Sequence, residues 1–434
     1  MKRMKRMKRI KRIKRIKRIK RITINLVIIS LTLVLVGCKG SNKQNDPAPN
    51  KEWKGRIYPS EHVVIDDTTS GAKLIYVTTN SGSDLNLYFD YNCWFKDLSA
   101  MFFISNRNGA SELFAYVPKT GELICVSPEN QKSTYWLATV DFETHEVYVQ
   151  DKNFIYEWNI IIEFNIDSTK VQNVNVKERV ITSAPEGVKF ASALTQSADR
   201  KYLSASINFD DDPDHKEILA VDILSGKLEK LMSFQTDTAI THVQFNKYNP
   251  NLLRFSRDVP RNIGVHRMWV IDTRKPGEAK KIHLQEPQES VTHEDWWVND
   301  QLTFCSGYLT NQYHVKVLNI HDQAARIMGA GSWWKNGSPE ELAEYNWWHA
   351  SGSRDGKWVA ADNWHGHIAI IDGRTSHLRL LTKNHRIYGK GDHPHVGWAP
   401  DSKSVEFTNS ARGNSDVCIA YLPLDKWIDP FMGK

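Results

Sequence analysis

Cysteine is scarce in this chain of 434 residues, and no two cysteines form a C-x-x-C pair. The five cysteines are scattered along the sequence: Cys38, Cys93, Cys125, Cys305 and Cys418. This spacing indicates neither a zinc knuckle nor a disulfide scaffold. The four after Cys38 are expected to be buried free thiols, although an exported protein could pair two of them. A G-x-S-x-G nucleophile motif is also absent, so nothing indicates a serine hydrolase of that type.

A basic excess is absent from most of the chain. The formal net charge is +7, but 14 of the 57 Lys and Arg residues belong to seven Lys-Arg triplets within residues 1–21. All 50 acidic residues follow that segment, so without it the net charge becomes −7. The remaining chain has no basic footprint for nucleic acid, and none is expected as a partner.

A long hydrophobic run is lacking as well. The apolar stretch Ile22–Val36 has about 15 residues, which is too short for a stable membrane span but fits a secretory signal after a cationic start. The sequence Leu35-Val36-Gly37-Cys38 resembles a bacterial lipobox. We therefore expect a lipoprotein signal peptide over 1–37 and a lipidated Cys38 that begins a flexible tether over 38–55. The predicted location is the bacterial cell envelope, with membrane contact only through the lipid.

What the sequence does contain is a repeat of about 50 residues. Seven times, a polar turn precedes an apolar strand, at Lys96-Asp97, Glu143-Thr144, Ala198-Asp199, Tyr248-Asn249, Asn299-Asp300, Arg354-Asp355 and Pro400-Asp401. Short alternating strands at this period, without a long amphipathic helix, are typical of radial four-stranded blades. The repeat predicts an all-β fold, a seven-bladed β-propeller over 56–434. A β-sandwich with an additional domain is the alternative.

The two ends of the sequence indicate how the ring closes. Val63–Ile65 and Leu74–Val77 have the character of strands but precede the first repeat. Val417–Tyr421 is a strand with too little chain after it to complete a blade. We expect the N-terminal strand to complete the seventh blade and so leave no open sheet edge at the join.

Histidine is concentrated in the second half, since only His62 and His145 of the 16 precede residue 200. Equivalent strand starts in successive blades line one end of a propeller's channel, so His349, His393 and His395 are predicted to converge. Three imidazoles form a nitrogen set suited to Mn, Zn, Fe or Ni. The pair His365 and His367 has the same spacing and competes for this role.

Tryptophan is frequent, with 15 residues. Core packing accounts for most of them. Trp348 and Trp364 lie beside the histidine-rich segments and are predicted to stack on the faces of sugar rings.

Several motifs together resemble the oligogalacturonate lyases of polysaccharide lyase family 22. They occur in that family's order: Arg267-Met268-Trp269, Thr292-His293-Glu294 with Trp296, His349 before Asp355-Gly356-Lys357, and His393-Pro394-His395 before Pro400-Asp401. The resemblance implies a seven-bladed propeller that cleaves uronate-containing oligosaccharides by β-elimination, with a divalent metal and a histidine base.

Carried over residue by residue, the resemblance implies His293 as the base and Arg267 as the active-site arginine. It implies His349, His393 and His395 as metal ligands, with Mn²⁺ as the expected ion. Glu294 or Asp295 is a possible orienter of His293. Where the family has a further ligand, a glutamine, this chain has Lys390. A protonated lysine has no lone pair for a metal, so Lys390 is predicted to bind the substrate or to mark a lost ligand.

The expected function is therefore a metal-assisted lyase for an acidic oligosaccharide, acting as a monomer. Two alternatives stay open. One is a noncatalytic propeller that binds glycan or an envelope protein. The other is a lyase for a different acidic glycan, such as an ulvan or rhamnogalacturonan fragment.

Overall fold

Seven antiparallel sheets follow one another along the chain, and each forms one blade of a propeller. The structure is a computed structural model that describes residues 51–129, 137–151, 153–259, 264–308, 312–332 and 336–427. The predicted signal peptide over 1–37 and Cys38 lie outside the described residues. The predicted all-β seven-bladed fold is confirmed.

The strands and the single described helix of five residues are, in chain order, β1 (Lys51–Lys54), β2 (Arg56–Tyr58), β3 (Val63–Asp66), β4 (Lys73–Tyr76), β5 (Asp84–Asn86), β6 (Met101–Ser105), β7 (Glu112–Tyr116), β8 (Leu123–Cys125), β9 (Ala138–Val140), β10 (Glu146–Asp151), β11 (Phe154–Phe164), β12 (Val171–Ser183), β13 (Val188–Phe190), β14 (Tyr202–Phe209), β15 (His215–Asp222), β16 (Leu228–Gln235), β17 (Ala239–Phe245), β18 (Leu252–Asp258), β19 (Met268–Asp272), β20 (Ala279–Lys281), β21 (Glu289–Trp297), β22 (Gln301–Tyr308), β23 (His314–Asn319), β24 (Ala325–Gly329), α1 (Pro339–Ala343), β25 (Trp347–Gly352), β26 (Trp358–Asn363), β27 (Ile368–Asp372), β28 (Leu378–Thr382), β29 (Gly397–Trp398), β30 (Ser404–Asn409) and β31 (Asp416–Tyr421).

Each blade is a meander of sequential strands. Blade 1 contains β5 to β8, blade 2 contains β9 to β12, and blades 3 to 6 take four strands each from β13 to β28. Blade 7 contains β29 to β31. The repeated polar turn lies between the first and second strands in all seven blades. The first strand therefore starts at the end of the channel opposite to this turn, and all seven first strands start at that same end.

The ring closes through the N-terminal segment, as predicted. Strand β4 pairs antiparallel with β31, with Ile75 opposite Ile419, and β3 then pairs with β4 at the outer edge. Leu74 is 1% exposed and packs in the core of blade 7, whereas Val64 on the edge strand is 47% exposed. Closure therefore joins the two ends of the sequence through both backbone hydrogen bonds and apolar packing.

Two further N-terminal strands were not predicted. Strand β2 adds a fifth strand to blade 1 by pairing with β8, and β1 adds a fifth strand to blade 2 by pairing with β12. The tether predicted over 38–55 is therefore wrong for Lys51–Lys54, which form β1. The reason is local, because Trp53 packs on the buried Trp158 at a ring distance of 5.2 Å and donates its Nε1–H to Val126 O.

Tryptophans on the inner strands, one buried and one half-buried, join neighbouring blades. Trp296 of blade 5 donates its Nε1–H to Gln244 O of blade 4 at 3.0 Å. Trp398 of blade 7 donates to Ser351 O of blade 6, also at 3.0 Å. The indole ring is large and apolar, and its N–H group is satisfied by these hydrogen bonds. The tryptophans therefore link the inner strands of adjacent blades around the channel. No helix within the described residues has the length and apolar character needed to cross a membrane.

Candidate active site

Three neighbouring inner strands carry a β-bulge near the same end of the channel. The pairing register shifts after Thr241 in β17, after Thr292 in β21 and after Trp347 in β25. A bulge inserts extra residues on one strand and redirects a side chain away from the ladder. Each of these bulges contains or adjoins a histidine, so the local irregularity turns imidazoles toward the channel.

The backbone at these histidines is strained. His242 and His293, in the first two bulges, have φ angles of 48° and 56°, and His395, two residues before β29, has a φ angle of 50°. The left-handed region costs a non-glycine residue roughly 1–2 kcal/mol. Strain of this kind persists only where the surrounding structure imposes it, and it concentrates at functional sites. Three blades therefore sustain the same unfavourable conformation in order to present a histidine.

The structure brings the predicted histidines together. The ring centroid of His349 lies 4.1 Å from that of His293, 4.5 Å from His395 and 5.7 Å from His393. His393 and His395 are 5.9 Å apart. We call these four residues the histidine cluster.

The competing pair, His365 and His367, is engaged elsewhere. The Nε2 atom of His365 lies 2.9 Å from Glu340 O, and the Nδ1 atom of His367 accepts a hydrogen bond from the backbone of Asn384. Their rings lie 5.9 Å from each other. The geometry thus favours His393 and His395 over this pair as the partners of His349.

His349 is held by a buried carboxylate. Its Nδ1 lies 2.9 and 3.1 Å from the two oxygens of Asp362, and both side chains are at most 1% exposed. Burial raises the pKa of Asp362 to about 6, and it lowers the pKa of His349 well below its ordinary value. Near neutral pH the carboxylate therefore accepts the Nδ1–H of a neutral imidazole. The lone pair of His349 is then on Nε2.

His293 has a similar tautomer, fixed by a carbonyl group. Its Nδ1 lies 2.9 Å from Trp348 O and 2.6 Å from the hydroxyl of Thr292. A carbonyl oxygen can only accept, so the proton is on Nδ1 and the lone pair on Nε2. Burial lowers the pKa of His293 well below its ordinary value, and the neighbouring His349 lowers it further. His293 is therefore neutral, and its Nε2 is available as a base.

The donor atoms of the cluster suit a transition metal. The buried His349 Nε2 and His393 Nδ1 have no hydrogen-bond partner among the residues that the structure describes. The arrangement Asp362–His349 is the carboxylate–histidine pair that commonly orients a metal-binding imidazole. Within the described residues, no three side chains already stand at metal-ligating distances. The chemistry of His349, His393 and His395 thus fits a divalent ion, although their side chains must move to bind one.

Arg267 lies beside the cluster, but its charge is already compensated. The side chain is 1% exposed, with Nε 2.7 Å from Glu294 and Nη1 2.6 Å from Asp258. Glu294 also accepts from Ser256, and Asp295 pairs with Lys247. The expectation that Glu294 or Asp295 orients His293 is therefore wrong, because Arg267, Ser256 and Lys247 engage these two carboxylates. Trp348 O holds His293 instead.

Trp348 and Trp364 form a half-buried aromatic wall next to the cluster. Their ring centroids are 4.4 Å apart. Trp348 lies 5.0 Å from His293, and Trp364 lies 4.7 Å from His393. Two neighbouring indole rings can stack on the apolar face of a sugar ring, which would place that sugar beside His293.

Lys390 is exposed in the loop between β28 and β29, where its backbone N–H closes a turn onto Ile387 O. Neither the side-chain hydrogen bonds nor the ion pairs of the cluster include it. The cation that the loop places near the cluster is Arg386. Burial is the main cause that lowers the pKa of His393 to about 4, and the charge of Arg386 is the second. Sequence reasoning missed Arg386 because no motif surrounds it.

A segment of blade 1, Tyr88–Asn92, crosses the channel beneath the cluster. The Tyr88 ring lies 4.8 Å from His395 and 5.7 Å from His242, which belong to blades 7 and 4. Asn92 accepts from Arg354 of blade 6 at 3.2 Å. The segment therefore forms a floor that closes the site toward the interior of the ring.

His242 was also missed by sequence reasoning. Its ring lies 6.3 Å from His293. A signal existed, because Thr241-His242 stands before its turn as Thr292-His293 does one repeat later. Comparing equivalent positions in the repeats, rather than looking for motifs, would have identified it.

No protein-family model matches the sequence. Among curated proteins, the chain is similar to the oligogalacturonide lyase of Pectobacterium atrosepticum, with 23% identity over 237 residues. That match covers 48% of this chain and 56% of the relative, so the chain spans little more than half the length of the relative that it matches.

Two solved structures resemble the whole propeller. They are an oligogalacturonate lyase from Vibrio parahaemolyticus, with a TM-score of 0.67, and an oligogalacturonate lyase in complex with manganese, with a TM-score of 0.68. Each is 15% identical to this chain and covers 86% of it and 100% of its own length. At this identity the structures show the shared fold, and together with the curated relative they confirm the resemblance to oligogalacturonate lyases that the motifs indicated.

Proposed function

We propose that this protein is a metal-assisted lyase that cleaves uronate-containing oligosaccharides by β-elimination. The observation that carries the proposal is the position of His293, a neutral imidazole with its lone pair on Nε2. Its ring centroid lies 4.1 Å from that of His349, a proposed metal ligand. A base next to a metal site, beside an aromatic wall, is the set of groups that this elimination requires. The similarity to oligogalacturonate lyases, one of them in complex with manganese, supports the same chemistry.

The proton next to a uronate carboxylate is too weakly acidic to leave at neutral pH without charge neutralisation. A divalent ion held by His349, His393 and His395 would supply it as a Lewis acid on the carboxylate, with Mn²⁺ as the expected ion. His293 Nε2 takes the proton from the carbon next to the carboxylate. The electron pair of that C–H bond becomes the new carbon–carbon double bond, and the neighbouring glycosidic C–O bond breaks. The departing oxygen is protonated to a hydroxyl by water.

Arg267 contributes a fixed positive charge beside the base. Glu294 and Asp258 already form ion pairs with Arg267. Its main role is therefore to keep a positive charge near His293 and to position Glu294, and direct binding of the substrate is secondary. The wall of Trp348 and Trp364 orients the sugar ring. These assignments give each group a distinct task in the proposed reaction.

A noncatalytic glycan-binding propeller is the second candidate. It is favoured by Lys390, which stands where the resembling lyases have a glutamine ligand and which is exposed in this structure. In that case the aromatic wall would bind sugar and the histidine cluster would not support turnover.

The direct test is His293→Ala. Loss of a general base commonly lowers the rate by about 10² to 10⁴, so we expect nearly complete loss of product. The measurement is the ultraviolet absorbance of the unsaturated uronate product, on a panel of acidic oligosaccharides with added Mn²⁺. His321→Ala, on an exposed turn of blade 5, is the matched control and should retain full activity.

Two outcomes would contradict the proposal. Full activity in His293→Ala, on a glycan that the parent protein cleaves, would remove His293 as the base. Saturable binding of the panel without any product from the parent protein would identify the noncatalytic propeller instead.

A further inference from the structure

Arg386 is a buried arginine whose hydrogen bonds go to backbone carbonyl groups. Its Nη1 donates to Trp364 O at 3.1 Å and its Nε donates to Gly391 O at 3.2 Å, and both acceptors are uncharged. No side-chain carboxylate among the described residues forms an ion pair with it. By contrast, Arg254 and Arg267, which are more deeply buried, each contact carboxylates. Asp362 and Asp392 attract this charge, but neither lies within ion-pair distance of the guanidinium. Arg386 therefore keeps donors that an anion could accept from directly.

The position of Arg386 relates it to the candidate active site. Its guanidinium carbon lies 5.4 Å from the Trp364 ring, which is 4.4 Å from Trp348. Trp348 in turn lies 5.0 Å from His293. The two indole rings therefore form a series of contacts from the proposed base to Arg386.

Close backbone packing fixes Arg386 in place. Its backbone N–H donates to His365 O, and the N–H of His385 donates to Gly366 O at 3.1 Å. Gly366 has a φ of 69°, and a Cβ added there would lie 2.5 Å from the backbone nitrogen of Arg386. Only glycine permits this contact between the loops of blades 6 and 7, so the guanidinium is positioned before any ligand binds.

We propose that Arg386 binds the carboxylate of the uronate next to the sugar that loses its proton. A planar guanidinium recognises a carboxylate through two parallel hydrogen bonds, and the Trp348–Trp364 wall would carry the sugar rings between the two charged positions. The site then selects oligosaccharides with two successive acidic sugars. This inference rests on the proposed function, and it adds that the site distinguishes oligosaccharides by the charge of the sugar next to the cleaved one.

The experiment compares two substrates in the Mn²⁺-loaded protein: an oligogalacturonate, and the same oligomer with the adjoining uronate reduced to a neutral sugar. For Arg386→Gln we expect KM for the first substrate to rise about tenfold or more, since a charge-assisted contact is lost, while kcat changes little. Values for the second substrate should stay unchanged. Arg386→Lys keeps the charge without the planar fork and should give an intermediate KM. Lys383→Gln, an exposed charge change at the start of the same loop, should match the parent protein.

Equal KM values for parent and Arg386→Gln on the acidic oligomer would overturn the inference. So would a parallel loss of kcat on both substrates or a loss of Mn²⁺ binding, since either would show that Arg386 only supports the histidine cluster. If the parent protein gives no product, the proposed function fails but the inference is still tested, by tryptophan fluorescence titration with oligogalacturonate. Binding about tenfold weaker in Arg386→Gln would then support the carboxylate contact, and equal binding would exclude it.

Discussion

At the scale of single residues, the candidate site depends on which ring nitrogen of each histidine carries the proton. Asp362 fixes Nδ1–H on His349, and Trp348 O fixes Nδ1–H on His293. Both lone pairs are then on Nε2, although one partner is a carboxylate and the other a carbonyl. A carboxylate partner makes the imidazole a better metal ligand, whereas a neutral carbonyl leaves it a free base. The two partners therefore explain how adjacent histidines take different roles in the proposed reaction.

Asp362→Asn tests this division of roles. An amide side chain can donate or accept at Nδ1, so the tautomer of His349 is no longer fixed, and loss of such a partner typically weakens metal binding by roughly 10- to 100-fold. We expect that loss of Mn²⁺ affinity, measured by calorimetric titration, with an unchanged far-ultraviolet circular dichroism spectrum. Asp401→Asn, on an exposed turn of blade 7, is the control. An unchanged Mn²⁺ affinity in Asp362→Asn would show that His349 does not bind the metal through Nε2.

The site was only partly predictable from the sequence. His349, His393 and His395 could be expected to converge because they occupy the same place in successive repeats, and their rings do lie together. Arg386 could not be predicted, because its position depends on contact between two loops that are not neighbours in sequence. The role of Lys390 stays a prediction, since no contact of its exposed side chain with the described residues assigns one.

At the scale of secondary-structure elements, the same bulge recurs on adjacent inner strands. A regular strand would alternate its side chains and bury each second one between blades. The bulges in β17 and β21 interrupt that alternation, so His242 and His293 face the channel while Phe245 and Trp296 stay in the core. Site and core are thus built on one strand by a local change of register. Hydrophobic periodicity predicts the strands but gives no sign of such a change.

The closing strand β4 is expected to be important for stability. Leu74→Ala removes a side chain that is 1% exposed and should lower the free energy of unfolding by about 2–5 kcal/mol. Val64→Ala on the adjacent edge strand, where the side chain is 47% exposed, should change it much less. Urea unfolding followed by tryptophan fluorescence gives the comparison. Equal effects of the two substitutions would mean that the N-terminal segment does not contribute to the core of blade 7.

At the scale of the whole molecule, the repeat determined what could be predicted. Seven turns at a regular period and one unfinished C-terminal strand were sufficient for the blade number and for closure by β4. The additional edge strands β1 and β2 were not predictable, because they lie outside the repeat and depend on particular contacts, such as that of Trp53 with Trp158.

The charge of the chain without residues 1–21 is −7. A chain that has lost residues 1–21 would repel the acidic substrate of the proposed function, which would then have to be attracted locally, by the proposed metal and by cations such as Arg386.

We propose that the protein is exported and anchored to the cell envelope by lipid on Cys38, because Cys38 directly follows Leu35-Val36-Gly37. The other four cysteines are buried free thiols in the structure and are not candidates for acylation. In cells grown with labelled fatty acid, we expect the parent protein to carry label and to partition into the detergent phase. Cys38→Ala should lose both properties, because the thiol that would carry the lipid is gone, while Ser41→Ala should keep them. Labelled Cys38→Ala in the detergent phase would exclude this anchor, and membrane association would then need another cause.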